Sequence, residues 1–290
     1  MNTNKNSAPI AQVISCAFLG FIAFVLMEIE IMIEHALSIL YFLAGVLFLV
    51  ERIHPAHPLN PQTLWYIRAV LINILQLSIF FVVDTALNQW HGGYSLFNVS
   101  ESLSPFTGAF VAYFIFTFIV YWWHRLRHSS HFFWKYFHQL HHSPQHIETL
   151  TAYYIHPLDM IMNLMISNTI MFFILGLNFE GAAWYTLITG FAGFFIHANI
   201  RIPRWVGYVY QTPEMHRLHH KSNHHAHNYS DFVCWDMLFG TYCNPEQAIV
   251  NCGFDEKEET RVIAMLFGKI VSKQTIETRP GSEDSIISEA

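Results

Sequence analysis

Histidine placement constrains this chain more than any other feature. The run Phe106–Trp123 holds no charged residue over 18 positions and leads directly into His124-Arg125-Leu126-Arg127-His128, an HxxxH spacing. An HxxHH cluster follows at His138-Gln139-Leu140-His141-His142, and His216-Arg217-Leu218-His219-His220 repeats that spacing downstream. An uncharged stretch of this length spans a bilayer core, so the first cluster is set at a membrane edge. On an α-helix, residues four apart share a face one turn apart. His124 and His128 should therefore share a face, as should His138, His141 and His142, and again His216, His219 and His220. Neutral imidazole is the commonest side-chain metal ligand. Three such clusters aimed inward from helical pieces predict a metal centre.

The rest of the composition agrees with a membrane setting. Charged residues make up 12% of the chain and hydrophobic ones 53%, whereas about a quarter of an ordinary soluble domain is charged. Six apolar segments stand out: Ile10–Met27, Leu37–Val50, Ala69–Val83, Phe106–Trp123, Met160–Leu177 and Ala182–Ile196. The expected fold is all-α, a polytopic membrane protein with four to six transmembrane helices and a histidine-rich helical cap. If the N-terminus is cytoplasmic, no Lys or Arg falls in the outer loops near Glu28–His35, Asp84–Pro105 and Asn178–Gly181. The positive-inside rule then places both termini and all three clusters on the cytoplasmic side, in a bacterial inner membrane or the endoplasmic reticulum. Three regions follow: a transmembrane region over 1–105, the histidine-bearing domain over 106–252, and 253–290. The last has an amphipathic stretch, Arg261–Ile270, suited to the membrane surface or to packing on the cap. Beyond Ser272 the composition is that of a disordered tail.

No basic stripe or recognition motif suggests nucleic acid. The four cysteines show no CxxC spacing, and reduced structural thiols are expected. His35, His54, His57 and His91 stand apart from the clusters, while His131 and His146 break the spacing. His197 ends the sixth apolar segment at the level of His124 and is the best ninth ligand. His156, His224, His225 and His227 are further ligand or supporting positions. Eight or nine imidazoles exceed the four of a tetrahedral zinc site and suit two ions with open positions. Imidazole suits iron, zinc, copper and nickel alike. An all-histidine set brings no negative charge, so at least two of Glu148, Asp159, Glu214, Asp231 and Asp236 are expected to hydrogen-bond to ligand histidines. The chain has no HExxH motif, which disfavours zinc hydrolysis.

Between Tyr121 and Tyr242 the chain resembles the fatty acid hydroxylase/sterol desaturase superfamily of integral membrane di-iron enzymes. The resemblance rests on Trp122-x-His124-Arg125-x-x-His128, Phe133-Trp134-x-x-x-His138-x-x-His141-His142-Ser143-Pro144, Thr151-Ala152, His156-Pro157-Leu158 and His216-x-x-His219-His220. It closes on Asn228-Tyr229 and Trp235-Asp236-x-Leu238-Phe239-Gly240-Thr241. It implies two iron ions held by His124, His128, His138, His141, His142, His197, His216, His219 and His220, with zinc as a substitute metal. It also implies O₂-dependent hydroxylation or desaturation of a lipid such as a sterol, fatty acyl chain or sphingoid base. Alkyl-ether-lipid or alkane oxidation by the same centre is the nearest alternative, and a non-redox zinc protein is the alternative from another class. Some relatives carry a further histidine four residues after the position of His197, where this chain has Arg201. The ligand count is then one fewer, or His156, His224, His225 or His227 makes it up. The chain has neither a GxGxxG motif nor a fused redox domain, so electrons are expected from a separate cytochrome b5-, ferredoxin- or rubredoxin-like protein. Arg201, Arg204, Arg217 and Lys221 form a candidate surface for it, or for phospholipid.

Overall fold

The computed structural model describes residues 33–58, 63–90, 94–224 and 226–271. Among them the chain is helical, with two isolated bridges and no strand. The long elements are α1 (Ile33–Ile53), α2 (Thr63–Trp90), α3 (Pro105–Ser129), α4 (Pro157–Asn168) and α5 (Phe179–His197). A π-helical turn, Thr169–Ile174, extends α4. Two short helices matter to the site, α6 (Pro213–His219) and α7 (Val233–Leu238). Four stretches among the described residues are long and apolar enough to cross a membrane: His35–Ile53, Leu64–Leu87, Pro105–Ser129 and Pro157–Ile174. They contain or overlap the second to fifth expected segments. The first, Ile10–Met27, lies outside the described residues.

The sixth segment forms α5, which is built for burial inside the bundle rather than for lipid contact. Asn178 caps it by accepting from the Gly181 amide at 2.8 Å. Ala182, Ala183, Trp184, Leu187 and Ala192 are all buried in the main core, beside Ala36 and Leu40 of α1 and Ala109 and Ala112 of α3. Small residues let these helices approach closely. Gly190 faces the Leu40 side chain, where a Cβ would collide.

A capping residue followed by proline opens three of the helices: Ser104-Pro105 for α3, His156-Pro157 for α4 and Thr212-Pro213 for α6. Proline suits the first helical position because its missing amide would lack an intrahelical partner there. The starts of α4 and α6 lie at the end of the bundle where α3 and α5 finish, whereas the start of α3 lies at the other end, beside Gly181. The fully buried Glu51, near the end of α1, accepts from the Thr149 amide at 3.0 Å and hydroxyl at 2.9 Å, and from the Asn199 amide at 2.9 Å. Glu148 accepts from Arg52 of α1 and from the Trp65 indole of α2. At the opposite end, the backbone of Leu96–Val99 bonds to the carbonyls of Phe173, Ile174 and Leu175.

After the third histidine cluster the chain returns across the cap. Gly253 donates to the His220 carbonyl and Phe254 to the Ser143 carbonyl, both at 3.1 Å, so the return ties the second cluster to the third. The Arg261–Ile270 stretch contains one short helix, Val262–Leu266. Met265 is buried with Trp65 and Trp134, while Ile263 and Phe267 are exposed. Packing on the cap thus holds one face and leaves an apolar face outward. The expected tail after Ser272 lies outside the described residues. Gly253 has φ +74 with its missing Cβ aimed at Pro144, a conformation that costs an L-residue on the order of 1–3 kcal/mol. Gly253→Ala should therefore lower the thermal unfolding midpoint in detergent, and loosen the clusters it ties; an unchanged midpoint would contradict this role.

Candidate metal centre

All nine histidines that the sequence singles out lie at one end of the bundle, and all nine are buried. They sort into two groups: His124, His128, His138, His142 and His219, and His141, His197, His216 and His220. Within each group one nitrogen from every residue lies within 4.8 Å of the others. The rings of the two groups touch: His142 and His220 stack with centroids 4.3 Å apart.

The partition differs from the shared face that the HxxHH spacing suggested. Each cluster sends its i, i+4 pair to one group and its i+3 histidine to the other. His138 and His142 bring their Nε2 atoms 3.1 Å apart in the first group, and His141 turns to the second, 3.2 Å from His197. His216 and His220 pair at 3.1 Å in the second group, and His219 crosses to the first, 3.1 Å from His128. The cause is helical geometry. Residues i+3 and i+4 point about 100° apart, which divides two adjacent sites rather than serving one. The second cluster also begins in a π-helical turn, Trp134–His138, where the Gln139 amide bonds back to the Trp134 carbonyl. Such turns re-aim side chains locally.

Backbone carbonyls fix several of the rings. The Nδ1 atoms of His124, His197 and His219 lie 2.9, 2.7 and 2.8 Å from the carbonyls of Tyr229, Gly193 and His227. A ring that donates from Nδ1 presents the Nε2 lone pair inward. Asn228 arranges two of these carbonyls. It and His227 adopt positive φ, 55 and 68. Its side chain donates to the Met215 and Cys243 carbonyls and accepts from the Cys243 amide. Asparagine tolerates that backbone region better than most residues.

The carboxylates do not behave as the sequence reading expected. Only Asp159 approaches a grouped histidine, with its oxygen 3.6 Å from His138 Nδ1, and its close partner is Arg127. Glu148 serves Arg52 and Trp65. Glu214 accepts from the Ile249 amide at 2.6 Å and meets His57 at 2.7 Å. Asp231 accepts from Tyr113 at 2.8 Å. Asp236, which burial pushes up to about 6, accepts from the Tyr229 and Ser230 amides. These acids brace the backbone and neighbouring elements, and carbonyl oxygens take the role assigned to them.

The remaining candidates fall outside the two groups. His156 caps α4, accepting from the Leu158 amide at 3.1 Å, and its other nitrogen meets the Leu266 carbonyl. His224 and His227 approach each other at 3.1 Å. His225 lies outside the described residues. The expected basic surface is divided as well: Arg204 pairs with Glu246 at 3.1 Å, whereas Arg217 is buried against Ile249.

The donor set fits metal ions. Burial and neighbouring imidazoles hold His138, His141, His142, His216 and His220 well below the usual histidine range. They are therefore neutral, with lone pairs available. His124 Nε2 is buried without a hydrogen-bond partner among the described residues. A cavity of about 250 Å³ opens on His124, His138, His141, His197 and His216, and continues between α1, α2, α4 and α5. Leu40, Phe80, Phe116, Leu164 and Met171 line it.

Residues 109–241 match the family model described as fatty acid hydroxylase. This segment is similar to the fatty acid hydroxylase family. No curated protein and no solved structure gives a significant match to the chain. A fatty acid hydroxylase is an oxidoreductase. The match, the apolar helices and the two histidine groups that could hold metal point together to a membrane oxidoreductase.

The Arg127–Asp159 pair is buried between α3 and α4 beside His138. Removing one partner of a buried ion pair costs about 3–5 kcal/mol because the other charge is left uncompensated. Arg127→Met should destabilise the protein strongly, and Arg127→Met with Asp159→Leu should recover most of the loss in thermal unfolding. A double variant as unstable as the single one would contradict the pairing.

Proposed function

We propose that the nine grouped histidines hold two iron ions, and that the protein uses O₂ and two external electrons to hydroxylate or desaturate a lipid. The carrying observation is the division of nine buried imidazoles into two adjoining groups at the mouth of an apolar cavity. Bound iron would supply the activation of O₂ and the oxidation of an unactivated C–H bond. The chain's own residues supply the rest. Carbonyls of Tyr229, Gly193 and His227 set three ring orientations, and the Arg127–Asp159 pair steadies His138 from behind. The cavity wall of Leu40, Phe80, Phe116 and Leu164 solvates a hydrocarbon body and excludes water. Holding the reacting carbon against the histidine groups is the entropic part of catalysis, and small displacements there separate hydroxylation from desaturation.

Orientation follows from charge. Arg52, Arg127, Lys135, Arg217 and the other described basic residues lie at the histidine end, which we place on the cytoplasmic side. Electrons in this reading come from a separate cytoplasmic redox protein docking on the cap.

Metal analysis and lipid turnover test this reading together. Wild-type protein should carry about two irons per chain and consume O₂ with a reductant and a lipid, giving products shifted by one oxygen or two hydrogens in mass spectrometry. His142→Ala and His220→Ala remove a ligand from different groups. Each should lower iron towards one per chain, with turnover losses beyond the roughly 10–100-fold cost of losing an outer partner. Full iron content in both variants would contradict the ligand assignment. Zinc alone, with no O₂ consumption, would favour a non-redox protein.

A further inference from the structure

The cavity is not uniformly apolar away from the histidines. Gln76 of α2 and Asn163 and Asn168 of α4 line it, and each has a buried side-chain oxygen without a hydrogen-bond partner among the described residues. Gln76 and Asn168 are 1% and 2% exposed. Their amide orientations are fixed by what the nitrogens do: Gln76 Nε2 donates to the Ile155 carbonyl at 2.7 Å, and Asn168 Nδ2 to the Leu164 carbonyl at 3.0 Å. The leftover atoms are therefore acceptors. A buried acceptor without a donor is destabilising, and no bulk water relieves it at bilayer depth. Leucine at Asn163 or Asn168 would avoid that cost and match the apolar wall, so the amides need a purpose that packing does not supply.

We propose that the carboxamides of this wall offer acceptors of which one takes a hydrogen bond from the substrate, so that the cavity takes an uncharged lipid alcohol in preference to a bare hydrocarbon chain or a free carboxylate. The proposal rests on the lipid-oxidising reading above and names the chemistry that the same cavity selects. A carboxylate offers only acceptors, and would meet three further acceptors along with Asp231, which also lines the cavity. A hydroxyl donates one hydrogen bond and keeps its own lone pairs. Position follows from α4. Asp159 reaches the His138 ring, whereas Asn163 and Asn168 stand four and nine residues further along, about 6 Å and 14 Å at 1.5 Å per residue. Gln76 is anchored at the start of α4 through Ile155. Asn163 and Asn168 thus place a hydroxyl on the α4 wall away from the carbon presented to the histidines, and Gln76 offers an acceptor closer to them. The three residues act on binding and specificity and do not touch the reacting atoms.

Binding of matched lipids to the full chain in nanodiscs tests this without turnover. The probes are cholesterol against 5α-cholestane and hexadecan-1-ol against hexadecane, read as lipid retained in native mass spectrometry. Wild-type protein should retain the alcohol of at least one pair roughly tenfold better, the discrimination of one well-made buried hydrogen bond. The pair that shows it tells a ring body from a chain. Asn163→Leu with Asn168→Leu should abolish the preference while iron content stays at the wild-type value and the melting temperature does not fall. Asn168→Leu alone is read in the same way should the double variant not fold. Equal retention in both pairs, or a preference that survives the substitutions, overturns the proposal, as would ordered water alone on the three amide oxygens with an alcohol bound elsewhere. An iron-free wild type that still prefers the alcohol would fault the oxidase reading and leave this one standing.

Discussion

Everything in this structure depends on bringing nine imidazoles out of water and aiming them at two points. Desolvation favours the neutral form of histidine, so burial itself prepares the donors, but it also demands a partner for each ring's second nitrogen. Backbone carbonyls answer part of that demand, where a turn or a helix end leaves one free to meet a ring. The positive-φ pair His227–Asn228, braced on both sides by the Asn228 side chain, is one such place. The last turn of α5, where the Gly193 carbonyl meets His197, is another. The buried carboxylates Glu51 and Glu148 then hold the ends of α1 and α2 against the loops that carry these turns.

Much of this was legible in the sequence, and the limits have physical causes. The membrane-spanning helices could be read because an uncharged run of sufficient length has few other destinations, and the grouped histidines because HxxxH and HxxHH repeat against a charge-poor background. His197 was legible from its level at the end of an apolar segment. The partition into two groups was not, because a shared face and a 100° divergence are both consistent with the same spacing until the partner helices are placed. The supporting carbonyls left no signal at all: every residue has one, and only the fold decides which are used. The carboxylates drew attention because they are rare here, yet rarity reflected the few backbone and arginine partners that a buried acid can serve. One signal was available and passed over for its physical meaning: asparagine before Tyr229, at a position that needs a left-handed backbone.

The apolar segments also hid a difference in kind. Thr63–Trp90 and Phe179–His197 are both helices of spanning length, but the second is rich in Gly, Ala and Thr and buried among α1 and α3, whereas the first presents Leu71, Ile74 and Val82 outward. Hydropathy averages surface and interior together. The helix that carries His197 is the one sheltered from lipid, which gives the ligand a fixed backbone, while α2 and α4 form the wall that a lipid must pass or lie against. Rigidity at the histidines and access at the cavity are thereby assigned to different helices.

The scarcity of carboxylates around the histidine groups among the described residues raises the question of how such a centre tolerates positive charge. The direction of the helices supplies an answer. His124 and His128 occupy the last turn of α3, His197 ends α5, and His216 and His219 occupy the last turn of α6. The C-terminal end of a helix carries the equivalent of roughly half a negative charge, and here three such ends converge on one volume from which water is largely excluded. In low dielectric these partial charges act with little screening. Asp159, the one nearby acid, is already matched by Arg127 and adds little net charge. The same three termini that deliver neutral ligands therefore provide the negative potential that an all-imidazole site lacks, and they do so with carbonyl oxygens that need no proton and do not titrate. A centre compensated in this way keeps its electrostatics fixed across the pH range in which carboxylates would come and go.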